Sequence, residues 1–100
     1  MQRVELCGGL DSLFSNATLI TFSEINSDMR SLFLTLRDKY LQSSKPELFM
    51  MGEELRPGIM VLVDGVDAEV LVEEQGVRSI NEVRLADDST VTLISTLHGG

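Results

Sequence analysis

Residues 28–41 read DMRSLFLTLRDKYL, and this stretch decides the fold. Its large apolar residues recur at intervals of three and four, which places them along one side of an α-helix. Ser27 is the predicted N-cap, and Asp28 is well placed against the positive end of the helix dipole. We expect this side of the helix to pack in the core rather than to bind a ligand. The residues on it are Met29, Leu32, Phe33, Leu36, Tyr40 and Leu41.

Two β-prone runs precede the helix. In the first, Val4 and Leu6 alternate with polar residues, which is the period of two typical of a half-buried strand. Gly8 and Gly9 then permit a turn. The second run covers residues 17–22 and is rich in threonine and β-branched or aromatic residues. Together the two runs predict an N-terminal β-hairpin.

A second hairpin is predicted after the helix. The run 59–63 is continuously apolar, which indicates a strand buried on both faces, and the turn signal Arg56-Pro57-Gly58 precedes it. Asp64-Gly65 separates this run from another β-prone run, 66–71. This dipeptide suits a type I′ turn, because such a turn needs positive φ at both central positions. The stretch 72–85 that follows is polar and irregular.

With residues 90–96 as a last strand, the element order is hairpin, helix, hairpin, loop and strand. One helix on one face of a mixed sheet makes a two-layer α+β domain. The order predicts the β-grasp fold, with four or five strands packed on one main helix. Ferredoxin-like folds need a second helix, and 72–85 shows no helical period. We expect residues 1–96 to form a single β-grasp domain and residues 97–100 to be a flexible C-terminal tail.

The bulk composition indicates a soluble protein. The chain is 43% hydrophobic and 24% charged, which is ordinary for a globular domain. No apolar run approaches the roughly 18 residues that cross a bilayer, and the first five residues alternate instead of forming a signal peptide. We therefore expect a monomer in the cytoplasm that does not associate with membranes.

The charge argues against direct binding to nucleic acid. The chain carries 16 acidic and 8 basic residues, a net charge of −8, and the basic residues are scattered. Binding a phosphate backbone requires clustered lysine and arginine, because counterion release is the main source of affinity. The acidity instead favours rapid encounter with a basic protein surface.

The cysteine and histidine content argues against an enzyme. Cys7 is the single cysteine, which rules out an intramolecular disulfide or a cysteine-based metal cluster, and we expect it to be a packing residue. His98 is the single histidine and lies within the last three residues. A hydrolase would need a base held by packed structure. We therefore expect no catalytic residue and no metal site.

The C-terminal residues Leu97-His98-Gly99-Gly100 suggest a different chemistry. A carboxylate is a poor electrophile, so acyl transfer from it needs activation, usually as a mixed anhydride with AMP. The activating enzyme must bring the terminal carbon to ATP through a narrow passage. Glycine lacks a Cβ and reaches conformations denied to other residues, so Gly99 and Gly100 form a thin, pliable thread. We expect the Gly100 carboxylate to be the reacting group and the folded domain to be its handle.

These residues resemble a known family. The segment 94–100, ISTLHGG, resembles the C-terminus of the ubiquitin-related modifier family, the eukaryotic sulfur carrier for tRNA thiolation. PELF at 46–49 and RPGI at 56–59 have the order and spacing of that family's middle motifs. Gly8-Gly9 followed by Leu13-Phe14 resembles its N-terminal motif. The resemblance therefore extends along nearly the whole chain.

The resemblance implies a reaction cycle carried out by partner enzymes. An E1-like activating enzyme would adenylate Gly100, with Leu97, His98 and Gly99 threading into its active site. Its rhodanese-like domain would supply a persulfide sulfur, which turns the tail into a thiocarboxylate. A tRNA thiolase complex would then take this sulfur for the wobble uridine of cytosolic tRNAs. Gly100 could also be joined to lysines of target proteins through an isopeptide bond. ATP and the persulfide belong to the activating enzyme, so no cofactor is expected on this chain.

Two alternatives share the fold and the tail. The chain could be the small sulfur-carrier subunit of a molybdopterin-synthase-like complex, although Leu97-His98 and the motifs at 46–49 and 56–59 fit the tRNA-thiolation family better. It could also be a non-catalytic β-grasp adaptor domain with an inert tail. A tail whose mass never changes on incubation with an activating enzyme, ATP and a sulfur donor would favour the adaptor.

Overall fold

The computed structural model describes residues 1–96. Five strands form one sheet in the order β2-β1-β7-β5-β6, and β3 and β4 form a separate two-stranded ribbon. Short 3₁₀ segments lie at Leu10–Phe14, Pro46–Leu48 and Ile80–Glu82. The main elements are β1 (Arg3–Cys7), β2 (Leu19–Thr21), α1 (Met29–Thr35), β3 (Met50–Met51), β4 (Glu54–Leu55), β5 (Ile59–Val63), β6 (Val66–Asp67), α2 (Ala68–Gln75) and β7 (Thr90–Ser95).

The centre of the sheet is β7, which pairs with β1 in parallel and with β5 in antiparallel orientation. Leu93 therefore lies between Leu6 and Val61, and all three side chains are buried. Along β7 the buried positions alternate with half-buried ones, because successive side chains point to opposite faces of a sheet. The inner face packs in one core with the apolar side of α1. The predicted mixed sheet on one main helix, the β-grasp arrangement, is confirmed.

The apolar side of α1 is buried as predicted, but its N-cap is Asp28 and not Ser27. A carboxylate oxygen of Asp28 accepts a hydrogen bond from the backbone N–H of Ser31 at 2.8 Å. The carbonyl of Ser27 instead accepts from the N–H of Leu85 at 3.0 Å, which ties the chain before α1 to the loop before β7. The prediction was one residue early because both residue types are good N-caps.

The helix continues beyond α1 as a π-helical segment, Leu36–Tyr40. The N–H of Leu41 closes this segment by donating to the carbonyl of Leu36 at 2.9 Å. The predicted helix therefore has the right extent, but its last turn is wider than an α-helical one. Tyr40 packs edge-on against Phe22 of the N-terminal hairpin, with ring centroids 5.3 Å apart.

The turn of the second hairpin is confirmed, since φ is 49° at Asp64 and 83° at Gly65. The prediction that the following strand extends to residue 71 and that 72–85 is irregular is wrong. β6 stops at Asp67, which caps α2 by accepting from the N–H of Glu69 at 2.9 Å. Gly76, with φ of 66°, ends the helix.

The sequence signal for α2 is weak for a physical reason. Ala68 is the one residue of α2 that is fully buried, so the helix has no wide apolar stripe for a 3.6-residue period to reveal. Its valines also favour a strand interpretation. The side-chain amide of Gln75 fastens the end of α2 to Arg84, accepting from its N–H at 2.8 Å and donating to its carbonyl at 3.2 Å. The sheet order is unchanged by this helix, so the fold remains β-grasp.

A buried polar network joins the start of β1 to the loop before α1. Gln2 is 1% exposed, and its side-chain amide donates to the carbonyls of Asn26 and Ala86 at 2.7 and 3.0 Å. Its side-chain oxygen accepts from the N–H of Asn26 at 2.8 Å. The side chain of Asn26 in turn accepts from the Thr35 hydroxyl at 3.0 Å. Nothing in the residue pattern had marked Gln2 as a core residue.

No helix within residues 1–96 has both the length and the apolar character needed to cross a membrane.

Replacing Leu36 by alanine should lower the free energy of unfolding by about 2–5 kcal/mol, because a fully buried leucine leaves a cavity. Leu19, which is 53% exposed, is the matched control, and its alanine variant should change stability by less than about 0.5 kcal/mol. Urea melts would measure both. A cost below about 1 kcal/mol for Leu36→Ala would mean that the helix face is assigned wrongly.

Replacing Gln2 by leucine should cost about 1–3 kcal/mol, because it leaves the buried N–H and carbonyl of Asn26 without partners. The same substitution at exposed Gln42, whose side chain makes no hydrogen bond to residues 1–96, is the control. Melts of the two variants that agree with each other would show that the network contributes nothing.

Candidate functional site

The predicted site residues Leu97, His98, Gly99 and Gly100 lie outside the described residues. The structure shows the point from which they continue, which is the end of β7. We call Ser95 and Thr96 the tail root.

The tail root is held by the turn that precedes β5. Ser95 is paired with Ile59 in the antiparallel ladder. The carbonyl of Gly58 then accepts two hydrogen bonds from Thr96, one from its backbone N–H at 2.8 Å and one from its hydroxyl at 2.7 Å. The Arg56-Pro57-Gly58 turn predicted from the sequence therefore fixes the chain up to the last described residue.

On the other side of the tail root, Gly8 lets the end of β1 approach closely. Its φ is 70°, and a Cβ at this position would overlap the backbone carbonyl oxygen of Ser95. The sequence had indicated only a turn here, and the close approach to β7 became visible with the parallel pairing of the two strands. Gly9 also has positive φ, but among residues 1–96 no atom beyond its chain neighbours lies within 4 Å of where its Cβ would be.

The outer face of the sheet carries an apolar area that leads up to the tail root. Cys7, Ile94 and Met60 lie side by side on β1, β7 and β5, and Leu62 follows on β5. We call these four residues the outer patch. Met60 is 43% exposed, and Cys7 is also exposed. The expectation that Cys7 is a packing residue is wrong, because burial of Val4 and Leu6 turns it outward.

Beside the tail root lies an open cleft of about 370 Å³, which we call the root cleft. Its apolar part comes from Leu13 and from Leu48, which is itself partly exposed. The lining residues are Gly8, Gly9, Leu10, Asp11, Ser12, Leu13, Leu48, Arg56 and Ser95. The cleft therefore combines backbone, apolar side chains and one cation at the base of the tail.

The cation is Arg56, and residues 1–96 offer it no acidic partner. Its Nε is shielded from solvent and has no hydrogen-bond acceptor there. Four cations elsewhere form ion pairs. The hydrogen bond from Lys39 to Glu24 raises the pKa of that lysine, and the hydrogen bond from Arg37 to Asp38 raises the pKa of that arginine. The sequence predicted a turn at Arg56 but gave no indication that its side chain would lie in a cleft.

The described residues contain no group of three or more histidine, cysteine, aspartate or glutamate side chains placed to hold a metal ion. A rigid sheet carries the chain to a fixed exit point, with an apolar patch on one side and a cleft containing an arginine on the other.

Comparison with known proteins agrees with this geometry. The family model Urm1 (Ubiquitin related modifier) matches residues 2–100. Ubiquitin-related modifier 1 of Bos taurus is 39% identical over 102 residues, covering 98% of this chain and 93% of that protein. The Dictyostelium discoideum homologue is 39% identical over 101 residues, covering 98% and 97%.

A solved structure shows the same likeness in three dimensions. The solution structure of Urm1 from Trypanosoma brucei superposes with a TM-score of 0.75 at 32% identity, covering 99% of this chain and 94% of that one. Family model, sequence relatives and structure thus agree over nearly the full chain. The protein belongs to the ubiquitin-related modifier family.

Proposed function

We propose that this protein is a sulfur carrier in which the carboxylate of Gly100 is the reacting group. An E1-like activating enzyme with a rhodanese-like domain adenylates Gly100 and converts it to a thiocarboxylate. A tRNA thiolase complex in the cytoplasm then receives the sulfur for 2-thiolation of the wobble uridine. The same activated glycine also joins to lysines of target proteins. The chain itself is not an enzyme and acts as a monomer.

The observation that carries this proposal is the way the tail root is held. β7 is paired on both sides along its length, and Gly58 binds Thr96 through two hydrogen bonds. Gly100 lies four residues beyond Thr96, and four extended residues span no more than about 14 Å. A partner that holds the folded domain therefore positions the terminal carboxylate within a small volume, which lowers the entropic cost of bringing it to ATP.

The chemistry needs a good leaving group and a sulfur nucleophile, both supplied by the partner. Adenylation joins the Gly100 carboxylate to AMP and releases pyrophosphate. The terminal sulfur of an enzyme persulfide then attacks the acyl carbon, and AMP leaves with its electron pair. A thiol of the enzyme cleaves the resulting acyl disulfide by forming a new disulfide, and the thiocarboxylate stays on Gly100. Because the partner enzyme supplies AMP as the leaving group, the persulfide and the cleaving thiol, the carrier needs no base or metal of its own.

Family membership favours this function over the two alternatives. A molybdopterin-synthase-like subunit would share the sheet and the glycine pair, but the family model matching residues 2–100 is that of the ubiquitin-related modifiers. An adaptor with an inert tail would have no use for the fixed exit point described above. Activation assays separate the adaptor from the carrier.

Deleting Gly99 and Gly100 should leave the fold intact and abolish activation. The core cluster and the strand pairs described for residues 1–96 are formed without Gly99 and Gly100, so we expect them to survive the deletion. Thermal melts of the two forms should agree within about 3 °C. A much larger loss of stability would show that the glycine pair is structural and would contradict the proposal.

Adding one alanine after Gly100 should block activation, because it converts the reacting carboxylate to an amide and moves the new terminus past the adenylation site. ATP–pyrophosphate exchange by the cognate activating enzyme would measure this. The control is a chain of equal mass with the alanine placed before Met1, which is 69% exposed. Equal exchange by both extended forms, with intact masses showing no trimming, would sink the C-terminal mechanism.

A further inference from the structure

Arg56 is an unpaired cation in an acidic protein. The chain has twice as many acidic as basic residues, yet no carboxylate within residues 1–96 pairs with this guanidinium. Arg56 is half-buried, and its Nε is shielded from solvent without an acceptor. Four other cations do form ion pairs, and they are Arg30, Arg37, Lys39 and Arg78.

A shielded donor without an acceptor costs folding free energy, so its presence calls for an explanation. A carboxylate in the root cleft would accept from the terminal nitrogens of the guanidinium, in a bidentate geometry that arginine favours. Lysine could not reproduce it, because an ammonium group is a point charge without a planar fork. The side chain is therefore suited to receive an acidic group from outside the chain.

Backbone hydrogen bonds fix the position of Arg56 beside the tail root. Its N–H donates to the carbonyl of Phe49 at 2.9 Å, and Phe49 is fully buried. Two residues later, Gly58 binds Thr96 of the tail root. Arg56 thus belongs to the same turn that fixes the exit point of the tail, and it lines the same cleft as Ser95.

The location of Arg56 beside the tail root indicates which group can bind in the root cleft. A nucleotide that receives Gly100 can lie up to about 14 Å beyond the tail root, so it need not come near Arg56. The protein that surrounds the tail must instead cover the root cleft. Asp11 lines the same cleft and would repel a second carboxylate, which limits the occupant to one acidic group on the side of Arg56.

We propose that the root cleft docks an acidic side chain of the activating enzyme, held by Arg56 while the tail enters the active site. This inference rests on the proposed function, because it assigns a contact to the enzyme that activates Gly100. It makes Arg56 a positioning and recognition residue without a part in the adenylation chemistry.

The test compares four variants of the full-length chain in ATP–pyrophosphate exchange. Arg56→Gln should raise the KM for the carrier by about tenfold or more and leave kcat within about twofold, because it removes binding and not chemistry. Arg56→Lys should recover only part of the loss. Asp11→Asn, in the same cleft, should not raise KM. Arg84→Gln is the matched control, since Arg84 is exposed and its guanidinium has no partner within residues 1–96.

Titration of the activating enzyme with each variant in the absence of ATP should show the same order of Kd. Thermal melts would check that each variant is folded. If Arg56→Gln does not fold, KM and Kd are compared between the wild type and Arg56→Lys instead. Unchanged KM and Kd for Arg56→Gln, with normal exchange by the wild type, would overturn this inference and leave the proposed function standing. A lower KM for Arg56→Gln would also overturn it and would show that the chain's own terminal carboxylate occupies the cleft. No exchange by the wild type would overturn both.

Discussion

Strand β7 is paired with a neighbouring strand along each of its edges, and this double pairing organises both the sheet and the surroundings of the tail root. Leu93 lies between Leu6 of a parallel strand and Val61 of an antiparallel one. A strand near the chain end that is central in the sheet cannot fray as an edge strand does. Ser95 pairs with Ile59 at the end of this central strand, and Thr96 is hydrogen-bonded to Gly58. The point from which the tail continues is therefore fixed by the sheet.

The same pairing explains why two features far apart in sequence meet at the tail root. Parallel pairing of β1 with β7 brings Gly8 against Ser95, where a side chain would not fit. Antiparallel pairing of β5 with β7 brings Gly58 to Thr96 and carries Arg56 to the cleft beside it. The surface around the tail root is thus assembled from three segments of the chain. It combines the apolar outer patch with a cleft lined by Arg56.

Much of the fold was predictable because local signals and tertiary packing agree. Asp64-Gly65 demanded positive φ at two positions, and the spacing of Leu32, Phe33 and Leu36 on α1 matched a helix buried on one side. α2 escaped prediction because only Ala68 on it is buried. The C-terminal glycine pair lies outside the described residues and stays a prediction. The roles of Gly8 and Gln2 could not be predicted, since they come from contacts with residues more than twenty positions away. Arg56 could not be predicted either, because only the fold places it in the same cleft as Ser95 without an acidic partner in residues 1–96.

If the carrier proposal is right, the C-terminal carbon of Gly100 accepts sulfur, and intact mass spectrometry would detect this. The full-length protein would be incubated with its cognate activating enzyme, ATP and a persulfide donor, and then measured without digestion. We expect a mass increase equal to the replacement of one oxygen by one sulfur, which disappears when ATP is withheld and localises to the last residue on fragmentation. A mass that stays unchanged, with an enzyme shown to be active on another carrier, would show that Gly100 does not carry sulfur.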